Sequence, residues 1–399
     1  MKRSGSLPTA SNGHSTFQFD GVFREVNNKE TREKLYAAQK FISGNDWSKA
    51  KTLMSELIEE TEDDHDLRNV KLILQEIELY QKRQIDTSVQ PAGNIDWAEV
   101  KKRRPEMYFE NFKELPQSIF VLKTMAGNEQ VTFVGRRILS HQWIANKIRE
   151  LHCSLITASM LFGVLVDHRI QEDGVIIYYR PLLPAEKKLI MHEIVDRYLK
   201  STELVFPYPA LQHINKEEIH CPDEGWEIDE NLALQLGEGE VYLRDYSVKF
   251  LKSLETEDLR LYDPACSTGQ FLYTMKSALP NSYTIGQDLS KFMVQYAVKR
   301  VDEIHVGNAI EPKIADDSAD VMFVRFINSE VLKAVDARSM IQPLLRSIKK
   351  GGYMVIFGHT PVLISNADLE MQVEVEIIQS VGGDKKYDGV FQYYVCKKY

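Results

Sequence analysis

The chain has 399 residues, 43% of them hydrophobic, enough to bury the cores of two or three compact units. Its 49 Lys+Arg against 58 Asp+Glu leave a net charge of −9, a poor match to phosphate backbones, so nucleic acid is not an expected partner. Cys153, Cys221, Cys266 and Cys396 lack disulfide or metal spacing, and no apolar run reaches the ~18 residues of a membrane span, which together predict a cytoplasmic protein without membrane contacts.

Residues 1–28 open on a Ser-, Gly- and Thr-rich stretch without a signal-type apolar core and are expected to be a disordered tail. Residues 29–96 read as a helical arm and linker. Leu35, Ala38, Phe41 and Ile42 make one apolar stripe at helical spacing. The pattern Ala38, Phe41, Gly44, Trp47, Ala50 has a tetratricopeptide flavour, but the sequence holds no second copy, so a helical hairpin for docking or dimer contacts is expected. Gln90-Pro91-Ala92-Gly93-Asn94 is the linker.

Residues 97–200 predict a winged-helix-like module: helices over 140–148 and 154–166, then a hairpin over 167–180 turning at Glu172-Asp173-Gly174. Arg136, Arg137, Lys147 and Arg149 would serve a DNA-binding reading of it. The acidic balance of the chain favours dimerisation instead, and a homodimer is the expected assembly. Residues 201–238 connect this module to the C-terminal part of the chain.

The stretch from 239 to 399 carries the chemistry. An apolar run ends at Tyr262 and leads into Asp263-Pro264-Ala265-Cys266-Ser267-Thr268-Gly269, then into a helix start at Tyr273-Thr274-Met275-Lys276. Strand, small-residue turn and helix N-terminus make a nucleotide-binding element, because small residues let the backbone approach and helix-start N–H groups face the ligand. Ala265 and Ser267 stand where such loops carry glycine; only Gly269 remains. A second strand, Tyr283-Thr284-Ile285-Gly286-Gln287, ends at Asp288-Leu289, placing a carboxylate to accept from a ribose diol. The same position would also let Asp288 cap the helix that begins at Ser290. A third strand runs through 303–309 to Asn308-Ala309, and a fourth covers 319–326. A helix over 329–348 ends at Lys349-Lys350-Gly351-Gly352, with cations in the last turn and glycine after it. A fifth strand over 353–358 and two late strands over 373–381 and 389–397 complete seven.

This order of elements resembles the class I S-adenosylmethionine-dependent methyltransferases. The resemblance implies an α/β fold, with a Rossmann-like seven-stranded domain at the C-terminus behind a mainly α-helical, winged-helix-like N-terminal part. It implies S-adenosylmethionine as cofactor. Asp263, Ala265, Cys266 and Gly269 would wrap its methionine end, Asp288 and Leu289 its ribose, and Asn308 and Ala309 its adenine, with Arg325 near the sulfonium. Dinucleotide-binding Rossmann domains favour three glycines in the first turn and lack the late hairpin. Adenine-N6 DNA methyltransferases share the Asp-Pro-Ala-Cys-x-Thr-Gly run, but place a proline-containing motif where this chain has Arg325-Phe326-Ile327-Asn328-Ser329-Glu330.

A small-molecule acceptor is therefore expected, with Arg325, Asn328, Glu330 and His359 after the fourth and fifth strands as candidate catalytic groups. Histidine titrates nearest working pH, which suits His359 to general-base work, although an ordinary loop histidine would look the same. Plant-type O-methyltransferases put a His-Asp pair near the place where Asn328-Ser329 stands here. The domain order resembles the bacterial α-keto acid C-methyltransferases, which implies attack by an enolate carbon. Arg325 would then hold the substrate carboxylate, and Glu330 a guanidinium as on 2-ketoarginine. Other O- or N-acceptors, a carrier-bound intermediate and a non-catalytic regulator remain the alternatives. His213, His220, His305 and His359 lack ligand spacing, and no metal is expected.

Overall fold

The computed structural model describes residues 28–44, 46–63, 66–67, 70–71, 73–75, 77–78, 93–112, 119–137, 154–208, 221–230, 233, 236, 241–327, 332, 334–387 and 389–399. The chain opens with a helical pair, Lys29–Ser43 and Trp47–Glu60. Asn28 accepts from the N–H groups of Glu30 and Thr31, and Asp46 caps the second helix through Lys49. Leu35, Ala38 and Ile42 pack into one core with Ala50, Met54 and Leu57, so the apolar stripe does what its spacing predicts.

The next unit is a sheet, not a winged helix. Strands β1 (Glu106–Asn111), β2 (Ile119–Ala126), β3 (Glu129–Arg136), β5 (Leu161–Ile170), β6 (Gly174–Pro181) and β7 (Glu203–Val205) run antiparallel in the order β1-β6-β5-β3-β2-β7. The helix predicted over 154–166 is absent: β4 (Ile156–Thr157), a 3-10 turn and β5 occupy it. A short apolar run has no decisive period, and here pairing with β6 settled it. A Cβ at Gly163 would lie 1.8 Å from the Arg180 carbonyl oxygen, so glycine is required for that pairing. The helix predicted over 140–148 lies outside the described residues, as do Lys147 and Arg149. Arg136 cannot reach phosphate. Its guanidinium is fully buried, 3.0 Å from the equally buried Glu110, which also accepts from the Tyr108 hydroxyl.

The second sheet carries the C-terminal half. Its strands are β8 (Arg260–Asp263), β9 (Tyr283–Asp288), β10 (Glu303–Val306), β11 (Ala319–Arg325), β12 (Ile348–Phe357), β13 (Val375–Asp384) and β14 (Gly389–Lys398), in the order β10-β9-β8-β11-β12-β14-β13. β8 to β12 are parallel, and β14 is antiparallel to β12 and β13. The sheet has eight strands rather than seven, because β4 pairs with β14 at Gly389 and Val390 beyond the last β12 pairing. Strand β12 starts at Ile348, five residues ahead of the expected Tyr353. Lys349 and Lys350 thus lie in the strand instead of a helix end, and Lys349 pairs with Asp320 across it. Leu261, Val321, Phe323 and Val355 are buried with the helix residues Phe271, Leu272 and Met275. Tyr262, Met322, Val324 and Ile356 are buried with Ile341, Leu344 and Leu345. A parallel sheet covered on both faces needs such continuous apolar strands. Among the described residues no helix is long and apolar enough to cross a membrane.

Candidate active site

The order of strands reverses between β8 and β11, and ligands of open α/β sheets bind at that switch point, outside the carboxyl ends of the strands. The Asp263–Gly269 turn leaves β8 there. Ser267 and Gly269 take φ of +53° and +76°, so one of the two sites requiring a left-handed backbone is filled by serine. Such a residue carries strain of about 1–2 kcal/mol that a glycine would avoid. The turn is held by its own residues: Cys266 N–H donates to the Gln287 backbone carbonyl at 2.8 Å, Ala265 N–H to Asp263, and Ser267 N–H to Asp288 at 2.8 Å. Arg300 donates to the Thr268 carbonyl from the far side. The N–H groups available to a ligand are therefore the first ones of helix Gln270–Ala278, which have no intrahelical partner.

Asp288 accepts from Ser267 N–H with one oxygen and from Ser290 N–H with the other. It is not the helix cap. Ser290 is, accepting from Met293 N–H, which leaves Asp288 for another role. Burial pushes its carboxyl up to about 6, opposed by the two N–H donors. A carboxylate offers about four acceptor positions, so a ribose diol can still be accommodated. Leu289 is half-buried beside it. Asn308 is exposed and accepts from Ile310 N–H, while Ala309 packs against the core. Gln287, not singled out in the sequence, ties these parts together. Its side-chain carbonyl accepts from the Tyr262 hydroxyl and Lys313 N–H, and its amide donates to the carbonyls of Asn308 and Glu311. The signal was present, since a polar residue inside an apolar strand needs partners.

Asp263 is fully buried and lies 2.5 Å from Arg325, whose guanidinium also reaches the Cys266 carbonyl and stacks 4.4 Å from the Phe271 ring centre. Burial pushes the Asp263 carboxyl up and the Arg325 guanidinium opposes it. Arg325 thus braces the turn from below; the structure does not present it as a carboxylate clamp for a substrate. Burial also pushes the Cys266 thiol well up, which makes it inert as a nucleophile.

Past β11, Phe326 adopts φ +51°, and its backbone lies against Gly358, where a Cβ would sit 2.7 Å from the Phe326 Cα. Its ring meets His359 edge-on at 5.2 Å. Thr360 donates to the carbonyl of Ser154, and Ser154 shares a hydrogen bond with the Tyr242 hydroxyl, so the N-terminal half contributes to this end of the site. Asn328 and Glu330 lie outside the described residues. His305 pairs with Glu303, away from His359 in the fold, and no metal-binding cluster occurs among the described residues.

Three comparisons bear on this geometry. The profile of a family described as a methyltransferase domain matches residues 262–356. Isonocardicin synthase of Nocardia uniformis subsp. tsuyamanensis is 36% identical over 250 residues, covering 62% of this chain and 81% of that protein. Among solved structures, a SAM-dependent methyltransferase of Aquifex aeolicus superposes with TM-score 0.33 at 15% identity, covering 43% of this chain and 99% of its own. The magnesium protoporphyrin IX methyltransferase of Synechocystis PCC 6803, solved with bound SAM, gives 0.33 at 14% identity over 43% of this chain and 87% of its own. Those scores are too low for either structure to speak to the acceptor.

Proposed function

The chain belongs to the S-adenosylmethionine-dependent methyltransferases, and from that premise we propose that it methylates a small metabolite, with His359 taking the acceptor's proton. The observation that supports this most is the placement of Phe326 and His359 past the ends of adjacent parallel strands β11 and β12, beside the turn after β8. S-adenosylmethionine, when bound, supplies an electrophilic methyl group. Asp288 and the first N–H groups of helix Gln270–Ala278 would hold it, with Asn308 and Ala309 at its adenine end. The remaining work for this chain is to align the acceptor and remove its proton, and each of those effects depends on geometry. Phe326, fixed by its left-handed backbone and by Gly358, orients the His359 ring.

The acceptor we favour is a small molecule of specialised biosynthesis, in keeping with a relative named for making isonocardicin. The narrower candidate is the carbon beside the ketone of an α-keto acid such as 2-ketoarginine, whose acidic C–H a histidine can deprotonate. In that case the carboxylate must be held by a group other than Arg325, which Asp263 already engages.

The test is product analysis with the full chain against keto acids, phenols and amines. S-adenosylhomocysteine should appear together with a methylated acceptor, and His359→Ala should lower kcat while leaving cofactor affinity unchanged. Release of methylthioadenosine instead would mean that the amino acid arm is transferred, and would overturn methyl transfer. Turnover of phenols or amines but no keto acid would sink the narrower candidate.

A further inference from the structure

Residues 221–228 lie outside the part matched by the methyltransferase family, and they pack on Ser290, two residues after Asp288. Gly225 closes a turn by donating to the Pro222 carbonyl at 2.8 Å and takes φ +80°. Its backbone rests on Ser290 so closely that a Cβ would lie 2.6 Å from the Ser290 N and Cα. The Ser290 hydroxyl donates to the Trp226 carbonyl while accepting from Met293 N–H. One side chain therefore caps the helix after Asp288 and latches residues 221–228. Beyond the latch, Trp226 and Ile228 pack on Met293, flanked by Cys221, Phe292 and Tyr296. The Met293 sulfur in turn meets the Ser267 hydroxyl of the cofactor turn at 3.4 Å. Cys221 sits near enough to Asp288 that the carboxylate, after burial, helps push its thiol up to about 11.

These contacts join the segment to both the ribose acid and the turn. They form a small cluster separate from the two cores that hold the sheet together. Segments attached by few buried contacts open at a fraction of the global stability. We propose that residues 221–228 are the second wall of the cofactor site: a strap that closes over the ribose side and swings off Ser290 to admit the ligand. Cys221 and Trp226 then join Asp288 as cofactor-site residues. This rests on Asp288 marking the ribose position.

Amide hydrogen exchange of the full chain, with and without S-adenosylhomocysteine, tests the strap without any substitution. Exchange over 221–228 should slow when the ligand saturates the site. Gly225→Val, which cannot seat on Ser290, should bind the ligand roughly tenfold more weakly by calorimetry, with an unchanged circular dichroism spectrum. Trp226→Ala should weaken binding in the same direction. Wild-type binding with unchanged exchange in the strap, or wild-type affinity in both variants, would overturn the proposal. Failure of the wild type to bind S-adenosylhomocysteine at all would instead bring down the site, and the strap with it.

Discussion

The two sheets handle buried charge in opposite ways. In the N-terminal antiparallel sheet, Arg136 and Glu110 are both fully buried and face each other within the sheet's own packing. In the C-terminal sheet the buried pair, Asp263 and Arg325, stands at the carboxyl ends of β8 and β11, under the turn that leaves β8. The first pair lies inside the antiparallel sheet; the second braces the turn after β8, where Arg325 also reaches the Cys266 carbonyl. A parallel sheet gathers its strand ends and helix starts on one edge, and that is where a reactive site can be assembled. In an antiparallel sheet the strand directions alternate, so successive strand ends fall at opposite edges.

The strongest test of this contrast is Gly269→Val. A β-branched residue at φ +76°, with its Cβ 3.1 Å from Ala297, should abolish S-adenosylmethionine binding in a calorimetric titration and lower the melting temperature as well. Full binding by that variant would place the cofactor elsewhere. Next in size is Arg136→Met, which leaves Glu110 buried without its cation and should cost about 3–5 kcal/mol in chemical denaturation. Where the variant remains folded, its cofactor affinity should be that of the wild type; a change in affinity would show that the two sheets are coupled after all.

Asp288→Ala should weaken cofactor binding by about 1.5–3 kcal/mol, the worth of hydrogen bonds to an ionised group. The same residue sets a pH dependence. Its folded carboxyl is raised to about 6, so its contribution to the ligand-free fold is fully present below the ordinary carboxylate range and is lost as pH rises through about 6. Cofactor binding through the ionised Asp288 carboxylate is expected to run the other way, falling about tenfold between pH 7 and 5. Asp288→Asn should flatten that profile, and an unflattened one would assign the titration to another group. The smallest effect is expected from Ser267→Gly. Relief of the left-handed serine should raise stability by about 1 kcal/mol with affinity retained, and a loss of stability would mean that the contact with Met293 outweighs the strain.

The residues alone show the chain order of the C-terminal strands, the turn after β8 and the carboxylate at the tip of β9. Each of these is written in a short contiguous pattern: an apolar run, small residues at fixed places, an acid at a strand end. The partners of those residues come from tertiary contacts. Arg325 turned out to serve Asp263 because β8 and β11, which are 62 residues apart at that pair, are neighbours in the sheet. Gln287, Ser154 and the Cys221–Trp226 strap acquired their places through similar long-range contacts, which no local pattern encodes. The winged-helix reading failed for the same reason. Leu161 to Val166 is compatible with helix or strand, and the choice fell to β6 and β3, which lie on either side of it.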